Sequence, residues 1–448
     1  MKATILRSLA VTALCFATAD ALAQRPGDAV AFPAAGEPQV IHLDNGTKLT
    51  FLGLTTGTQQ MAPGFENLPT ANRLYTPDCP TMAWIKVEHD HGGNWTGSLE
   101  LLVSDKARTA CVDVEKSTSS HVRSGEDVQG FILRAFPRWD NEFLARVKLY
   151  RGAVSKEEFV ISNPAPVTVT NWTPEPLPIT KSAGDLEVTL IKLVAGAPNP
   201  FFQGEHPLAN DPANQCVHLN FDFRQNGLPA TNWYPWPVLT CDAAGNRARG
   251  LIRDYPKNGM NPIYPDRIHP SFPPSLEGYY YQPGLWPDHP PWKVKLEFIR
   301  WSNFSDEETA TFTNLSVRPG TKHDADDEWS WEPGNTNFAF VAEQMVNGVK
   351  LKLLTPLLLA DPDQIEQKRI SVLIFGDPER QLRAMNLTLL QATDENGQEV
   401  ATPFRNGGGW AGHYGLDFPN VHEVKMLNLK LALHRSRFVE FTVTPSKP

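Results

Sequence analysis

The sequence lacks the motifs by which many enzymes are recognised. It has no Gly-x-Ser-x-Gly elbow, no His-Glu-x-x-His pair and no glycine loop that would cradle a phosphate. The glycine run 407–409 lies between strand-like segments and precedes no helix-like segment. The sequence therefore predicts no catalytic residue and no cofactor, and it favours a non-catalytic protein. An enzyme with an unfamiliar site is the alternative.

Basic clusters and long apolar runs are also absent. The net charge is −9, with 41 basic and 50 acidic side chains. This balance argues against nucleic acid and against an anionic membrane surface as partners. After the first 23 residues no apolar stretch approaches the roughly 20 residues that a membrane-spanning helix needs. We therefore expect no membrane span in the mature chain.

The N-terminus has the pattern of a cleavable signal peptide. Lys2 and Arg7 precede a mostly apolar stretch over residues 9–22, and Ala21 and Ala23 supply the small residues before a cleavage site. The sequence predicts removal of residues 1–23, with cleavage after Ala23. A secreted or periplasmic location follows from this prediction.

Short strands dominate the rest of the sequence. The chain has 39 prolines and 31 glycines, and these lie between short runs in which apolar and polar residues alternate. Each glycine-led strand after Gly46, Gly184 and Gly348 has this alternation. The sequence thus predicts an all-β protein in which the helices are few and short.

A weak threefold repeat divides the chain. In each copy an aromatic-proline pair precedes a strand of apolar and mostly basic residues, and a last strand follows. The pairs are Phe136-Pro137, Trp286-Pro287 and Phe418-Pro419, with last strands around Phe159, Phe312 and Phe441. The repeat predicts three tandem antiparallel β-sandwich domains, immunoglobulin-like or related, over residues 30–168, 176–319 and 335–445.

Four cysteines remain after the predicted cleavage. The repeat alignment pairs Cys79 with Cys111 and Cys216 with Cys241. In an oxidising compartment this spacing predicts two disulfides, one in each of the first two units. A metal site that uses all four thiolates is the alternative, but the sequence has no Cys-x-x-Cys pair.

Two other segments have metal-ligand residue types. His89 and His91 would share one face of a strand, and residues 324–328 contain four carboxylates. We interpret the first segment as an exposed strand end before a glycine turn and the second as a solvated linker. The sequence therefore predicts no metal site.

Aromatic residues are concentrated in the second unit. Those without counterparts in the other copies are Trp233, Tyr234, Tyr279, Tyr280 and Tyr281. Exposed aromatic rings among polar residues suit sugar rings and protein partners equally. These five residues are the predicted ligand surface, with packing of a long loop as the alternative.

Three hypotheses for function remain. The favoured one is a non-catalytic scaffold of the cell envelope or exterior, whose units act as spacers or interaction modules. The second is a carbohydrate-binding protein that uses the aromatic residues of the second unit. The third is an enzyme with an unrecognised site. The partner is therefore expected to be a protein or a glycan, whose identity is left open.

Overall fold

The structure is a computed structural model, and it describes most of the chain after residue 29. The described residues are 30–33, 39–57, 59–65, 74–75, 81–89, 99–108, 111–114, 116–123, 125–149, 155, 157–169, 172–198, 215–250, 252–254, 275–280, 285–286, 291–320, 340–360, 368–382, 385–400, 404–406, 413–419, 421 and 424–447. The predicted signal peptide therefore lies outside the described residues. Among the described residues, no helix has the length and apolar character that crossing a membrane requires.

The first part of the chain forms unit 1, which consists of two facing antiparallel sheets and a separate short two-stranded sheet. Its strands are β1 (Val30–Pro33), β2 (Val40–His42), β3 (Lys48–Thr56), β4 (Gln59–Gln60), β5 (Leu74–Tyr75), β6 (Thr81–Glu88), β7 (Leu99–Ser104), β8 (Cys111–Val114), β9 (Lys116–Arg123), β10 (Glu126–Ile132), β11 (Glu142–Leu149) and β12 (Phe159–Ser162). One sheet has the order β1-β3-β6-β10-β9, with β2 beside β3, and the other has the order β12-β11-β7-β8. Side chains from both sheets, including Phe51, Phe143 and Phe159, form one buried core.

The middle of the chain supplies most of unit 2. Its strands are β13 (Ile179–Ala183), β14 (Leu186–Pro198), β15 (Gln215–Gln225), β16 (Leu228–Pro229), β17 (Trp233–Asp242), β18 (Arg247–Gly250), β19 (Ile252–Asp254), β20 (Ser275–Tyr280) and β21 (Trp292–Arg300). One sheet has the order β13-β14-β15-β20-β19, with β16 beside β15. The core contains Phe221 and Phe223 from this sheet and Trp292 and Phe298 from the facing sheet.

The last part of the chain supplies most of unit 3. The strands in this part of the chain are β22 (Thr309–Ser316), β23 (Arg318–Gly320), β24 (Phe340–Val346), β25 (Val349–Leu354), β26 (Leu357–Ala360), β27 (Lys368–Asp377), β28 (Asn386–Thr393), β29 (Phe404–Asn406), β30 (His413–Phe418), β31 (Met426–His434) and β32 (Arg437–Val443), of which β32 joins unit 2. One sheet has the order β23-β26-β27-β25-β24, with β30 beside β27 and β29 beside β30. Among the residues that the structure describes, the helical elements are a 3₁₀ turn (Asp306–Glu308) and the short helix α1 (Glu379–Leu382).

Alternating side chains explain why these segments form strands. Along β21, Trp292, Val294, Leu296 and Phe298 are buried in the unit 2 core, whereas the residues between them are partly exposed. This period of two is that of a strand with one face on a core. The all-β fold class is confirmed, and the named strands of the described residues pair antiparallel except for β23 with β26.

The last strands of units 2 and 3 differ from the sequence expectation. The strand around Phe312 was expected to close the second unit, and the strand around Phe441 the third. Instead β32 pairs with β21, which gives unit 2 its second sheet, β18-β17-β21-β32. Strand β22 pairs with β31, which gives unit 3 its second sheet, β22-β31-β28. Each predicted range therefore supplies its last strand to the sheet of the other unit.

Strands β21 and β22 run antiparallel to β31 and β32, and these four strands form a ribbon that passes from unit 2 to unit 3. We use the name ribbon for residues 292–316 together with residues 426–443. In unit 2 its register runs from Trp292 opposite Val443 to Phe298 opposite Arg437. In unit 3 it runs from Thr309 opposite Ala432 to Ser316 opposite Met426. A link of two residues joins β31 to β32, a length typical of hairpins, yet these strands do not pair with each other.

Candidate functional site

The predicted ligand residue Trp233 lies where the ribbon passes between units 2 and 3. It opens β17, opposite Arg300 of β21, and only 2% of its surface is exposed. Its ring lies 4.6 Å from the guanidinium carbon of Arg437 and 5.6 Å from that of Arg300. Cations above an indole ring are attracted by the negative charge of its π face. Trp233 therefore contacts both β21 and β32 of the ribbon and does not lie at the surface.

Trp233 and four residues of the ribbon form what we call the crossover cluster. The four are Arg300, Phe304, His434 and Arg437. The guanidinium of Arg300 lies 4.9 Å from the Phe304 ring centre, and the Phe304 and His434 ring centres are 5.1 Å apart. His434 is almost fully buried, and its Nε2 lies 3.3 Å from the hydroxyl of Thr388 on β28. The cluster thus includes residues from both segments of the chain that pass between units 2 and 3.

Ion pairs complete the crossover. Arg437 donates to the carboxylate of Asp185, and Arg300 donates to Glu308. The Asp185 carboxylate also accepts a 2.7 Å hydrogen bond from Gln225 of β15. That bond lowers the pKa of Asp185; burial opposes the change, and the guanidinium of Arg437 reinforces it. Asp185 is therefore ionised at neutral pH and holds the first residue of β32 against unit 2.

The link between β31 and β32 is itself bonded to both units. Ser436 donates to Glu297 of β21, and its hydroxyl is also bonded to the side-chain amide of Asn386 at the start of β28. The charges at the crossover are used in contacts within the protein. These contacts hold β31 and β32 in place between units 2 and 3.

Within the described ranges, no group of three or more histidine, cysteine or acidic residues has a geometry that could hold a metal ion.

Of the other predicted aromatic residues, only Tyr234 has a side chain within the part of the chain that the structure describes. Tyr234 is also only 2% exposed. Tyr279 and Tyr280 lie on β20, opposite His218 and Val217 of β15, and Tyr281 lies outside the described residues. The expectation of an exposed platform is corrected for Trp233 and Tyr234, because both side chains are buried.

The predicted bond between Cys216 and Cys241 is not present, because Cys241 is a free thiol. On β17 its neighbours Thr240 and Asp242 are buried towards the core, so Cys241 lies on the outer face, opposite Lys293. From there it cannot reach across the core to the sheet that contains Cys216. Burial, with the nearby charge of Glu440, raises the pKa of the Cys241 thiol to about 11, so it is neutral at physiological pH. Cys79 lies outside the described residues, and its pairing with Cys111 stays a prediction.

A second cluster of buried polar groups joins units 1 and 2, and we call it the unit 1–2 junction. The side chain of Asn246, which is fully buried, accepts hydrogen bonds from the Phe136 N–H (3.1 Å) and from Arg138 Nε (2.9 Å). Its amide nitrogen donates to Asp242 at 2.8 Å, and the Arg247 N–H donates to the carbonyl of Arg134. One amide thus connects a tight turn in unit 2 to the aromatic-proline segment of unit 1.

Burial affects the protonation of Asp242 in this junction. It raises the pKa of Asp242, although hydrogen bonds from Asn246 and Ala244 and the charge of Arg138 act in the opposite direction. Close by, the rings of Trp139 and Trp286 meet edge to face with centres 5.6 Å apart. Asp242 and Gly245 are residue types typical of a turn, but the sequence gave no signal that this turn would dock on unit 1.

The histidine segment also differs from the expectation. The side chain of His89 is only 6% exposed, and its Nε2 lies 3.7 Å from a carboxylate oxygen of Asp127 on β10. His89 is therefore not an exposed strand end. Asp90, His91 and the acidic run 324–328 lie outside the described residues.

Comparisons with known proteins add little. No protein-family model matches the chain, and no curated protein matches it. A solved structure described as "the conserved domain protein from Bacillus anthracis" is similar over 63% of this chain and 81% of that chain, with 8% sequence identity and a TM-score of 0.20. A likeness this weak carries no argument about fold or function.

Proposed function

We propose that this chain is a non-catalytic scaffold of the cell envelope or exterior, whose units hold partners in a fixed arrangement. The observation that carries the proposal is the ribbon, because the chain passes from unit 2 into unit 3 after β21 and returns as β32 to complete the second sheet of unit 2. A spacer with a set geometry needs such a connection, because ordinary linkers between domains permit relative motion. The unit 1–2 junction supports the same conclusion for the first unit.

Buried contacts at both connections support a rigid particle. At the crossover, Trp233 and His434 are almost fully buried, and at the junction Asn246 is fully buried. Buried polar groups that satisfy each other specify one arrangement, because a shift of either unit would leave them without partners. Both connections use this principle, so we expect the three units to keep fixed distances.

Distances between units test the scaffold proposal. Spin labels attached through unnatural amino acids at Lys106 and Lys350 would report from unit 1 to unit 3, and both side chains are exposed. The proposal predicts a narrow distance distribution by pulsed electron resonance. Labels at Arg224 and Lys350 provide the matched control between units 2 and 3. A broad distribution for either pair would contradict a rigid scaffold.

The proposed location rests on the N-terminal pattern and has a separate test. Intact mass and N-terminal sequencing of protein recovered outside the cytoplasm should give a chain that begins at Gln24. A chain that retains Met1 in the cytoplasmic fraction would contradict this part of the proposal.

The carbohydrate alternative is weakened by the burial of Trp233 and Tyr234. No observation in the described residues now favours it over the scaffold proposal. A polysaccharide pull-down with the full chain, beside a Tyr280→Ala variant, addresses it directly. Retention that is lost in the variant would replace our proposal with the carbohydrate hypothesis.

A further inference from the structure

Strand β32 fills a defined slot in unit 2. Val439, Phe441 and Val443 are buried in the unit 2 core, and the strand forms a continuous ladder with β21. On its other side the Thr442 carbonyl accepts a 2.7 Å hydrogen bond from the Glu175 N–H. Beyond the strand, Ser446 bonds to Leu193 and Ala195 of β14, in a parallel bridge centred on Val194. The slot therefore recognises β32 through both backbone bonds and alternate apolar side chains.

The strand that fills this slot arrives from unit 3 and not from unit 2. In unit 1 the matching slot beside β11 is filled by β12, the next strand along the same chain. In unit 2 the next strand along the chain, β22, leaves to pair with β31. Because unit 2 is completed only by a strand attached to unit 3, any unit 3 that presents the same strand would complete it equally well.

We propose that a second copy of this chain fills the slot, so that two chains exchange unit 3 together with β32 and form a reciprocal dimer. This inference rests on the proposed scaffold function and adds self-association to it. In such a dimer β32 of each copy would pair with β21 of the other. The contacts of Arg437 with Asp185 and of Ser436 with Glu297 would re-form between copies unchanged. Monomer and dimer then share their contacts, and protein concentration sets the balance between them.

The segment between β21 and the 3₁₀ turn is the hinge that such an exchange requires. It covers residues 301–305, in which Asn303 is exposed and has a φ of 60°. Trp301 anchors its start through hydrogen bonds to the carbonyls of Thr231 and Asn232. Shortening a hinge between exchanged elements disfavours the closed monomer, since the chain no longer reaches between its own two units.

Two variants with opposite expected results test this inference in the full chain. Deletion of Ser302 and Asn303 should shift the protein from monomer to dimer in size-exclusion chromatography with light scattering. Insertion of Gly-Ser-Gly at the same place should keep it monomeric. A deletion variant that is folded and monomeric would overturn the inference.

The unmodified protein provides a second measurement if the deletion variant does not fold. Isotope-labelled and unlabelled chains would be unfolded together and refolded at high and low concentration. Exchange predicts a dimer fraction that grows with concentration and contains mixed dimers by native mass spectrometry. Refolding to monomer alone at every concentration would overturn the inference. A rigid scaffold would still give the narrow label distances, so failure here is distinguishable from failure of the proposed function.

Discussion

Unit 1 and the pair of units 2 and 3 close their sandwiches in different ways. In unit 1 the strand that follows β11 along the chain is β12, and it pairs directly with β11. In units 2 and 3 the corresponding last strands are exchanged through the ribbon. Similar strand patterns along the chain therefore form a closed unit in one place and an interlocked pair in another. The connection between the strands, and not the strands themselves, accounts for the difference.

This difference has consequences for stability. The core of unit 1 includes Phe159 from its own last strand, whereas the core of unit 2 includes Phe441 from the end of the chain. A destabilising substitution in β32 should therefore affect the second sheet of unit 2, whose other strands lie more than a hundred residues earlier in the chain. Units 2 and 3 should unfold together, and unit 1 should be more independent.

The largest effect is expected from Phe441→Ala. Phe441 is fully buried, and truncation of a buried phenylalanine costs about 3–5 kcal/mol of unfolding free energy. Hydrogen exchange should become faster in β15, β17 and β21 of unit 2. Phe159→Ala is the matched control, since it should cost a similar amount but increase exchange in unit 1. Faster exchange confined to β27 and β28 after Phe441→Ala would contradict the strand exchange.

Asn246→Ala should have the next largest effect, at the unit 1–2 junction. The change leaves the Phe136 N–H and the Asp242 carboxylate without their buried partner, which costs about 1–3 kcal/mol. Chemical denaturation should report this loss, and the label distances from unit 1 should broaden. Asn396→Ala, in the exposed turn of unit 3 that begins at Asp394, serves as the control and should change stability little. Equal effects of both substitutions would contradict a specific junction.

Arg437→Met should have a smaller effect at the crossover. It removes the ion pair with Asp185 and the cation above Trp233, both at a partly exposed site. We expect a loss of about 1 kcal/mol, measured by denaturant unfolding of units 2 and 3. Arg224→Met, which removes an exposed pair with Asp222 in the same unit, is the control. An unchanged stability of Arg437→Met would indicate that the crossover is held by the buried strands alone.

The two connections should respond to acid in opposite directions. The folded state lowers the pKa of Asp185, so its stabilising contribution is present above the unfolded pKa and is lost as pH falls through the folded one. The folded state raises the pKa of Asp242, so its contribution is most favourable below the unfolded pKa and is lost as pH rises through the folded one. Acidification should therefore weaken the crossover first. An Asp185→Asn variant should lose this pH dependence, as followed by hydrogen exchange in β21.

Strand positions and turns could be predicted from the sequence because they depend on local patterns. The Asp242 and Asp394 turns both use the carboxylate to accept two backbone N–H bonds, and both contain a glycine with positive φ, Gly245 or Gly397. Such turn chemistry is visible in a few neighbouring residues. The alternation along β21 and β31 likewise identifies which side chains face a core.

The pairing of each strand with its neighbour could not be predicted in the same way. Alternation tells which face of β32 is buried but not which strand lies beside it, and a link of two residues ordinarily indicates a hairpin with β31. Trp233 was expected at a surface because its residue type suits both a ligand platform and a core. It is part of the unit 2 core and lies beside Arg300 and Arg437, which are distant from each other in sequence and meet only when the ribbon forms.

A cross-strand disulfide tests the exchanged ribbon most directly. Lys295 and Glu440 are register partners on β21 and β32, and neighbouring strands bring such pairs within reach of a disulfide. In a chain that carries Lys295→Cys, Glu440→Cys and Cys241→Ser, we expect an intramolecular disulfide between the two introduced thiols in the monomer, found by non-reducing peptide mapping. A folded monomer in which this bond does not form under oxidising conditions would contradict the exchange of strands between units 2 and 3.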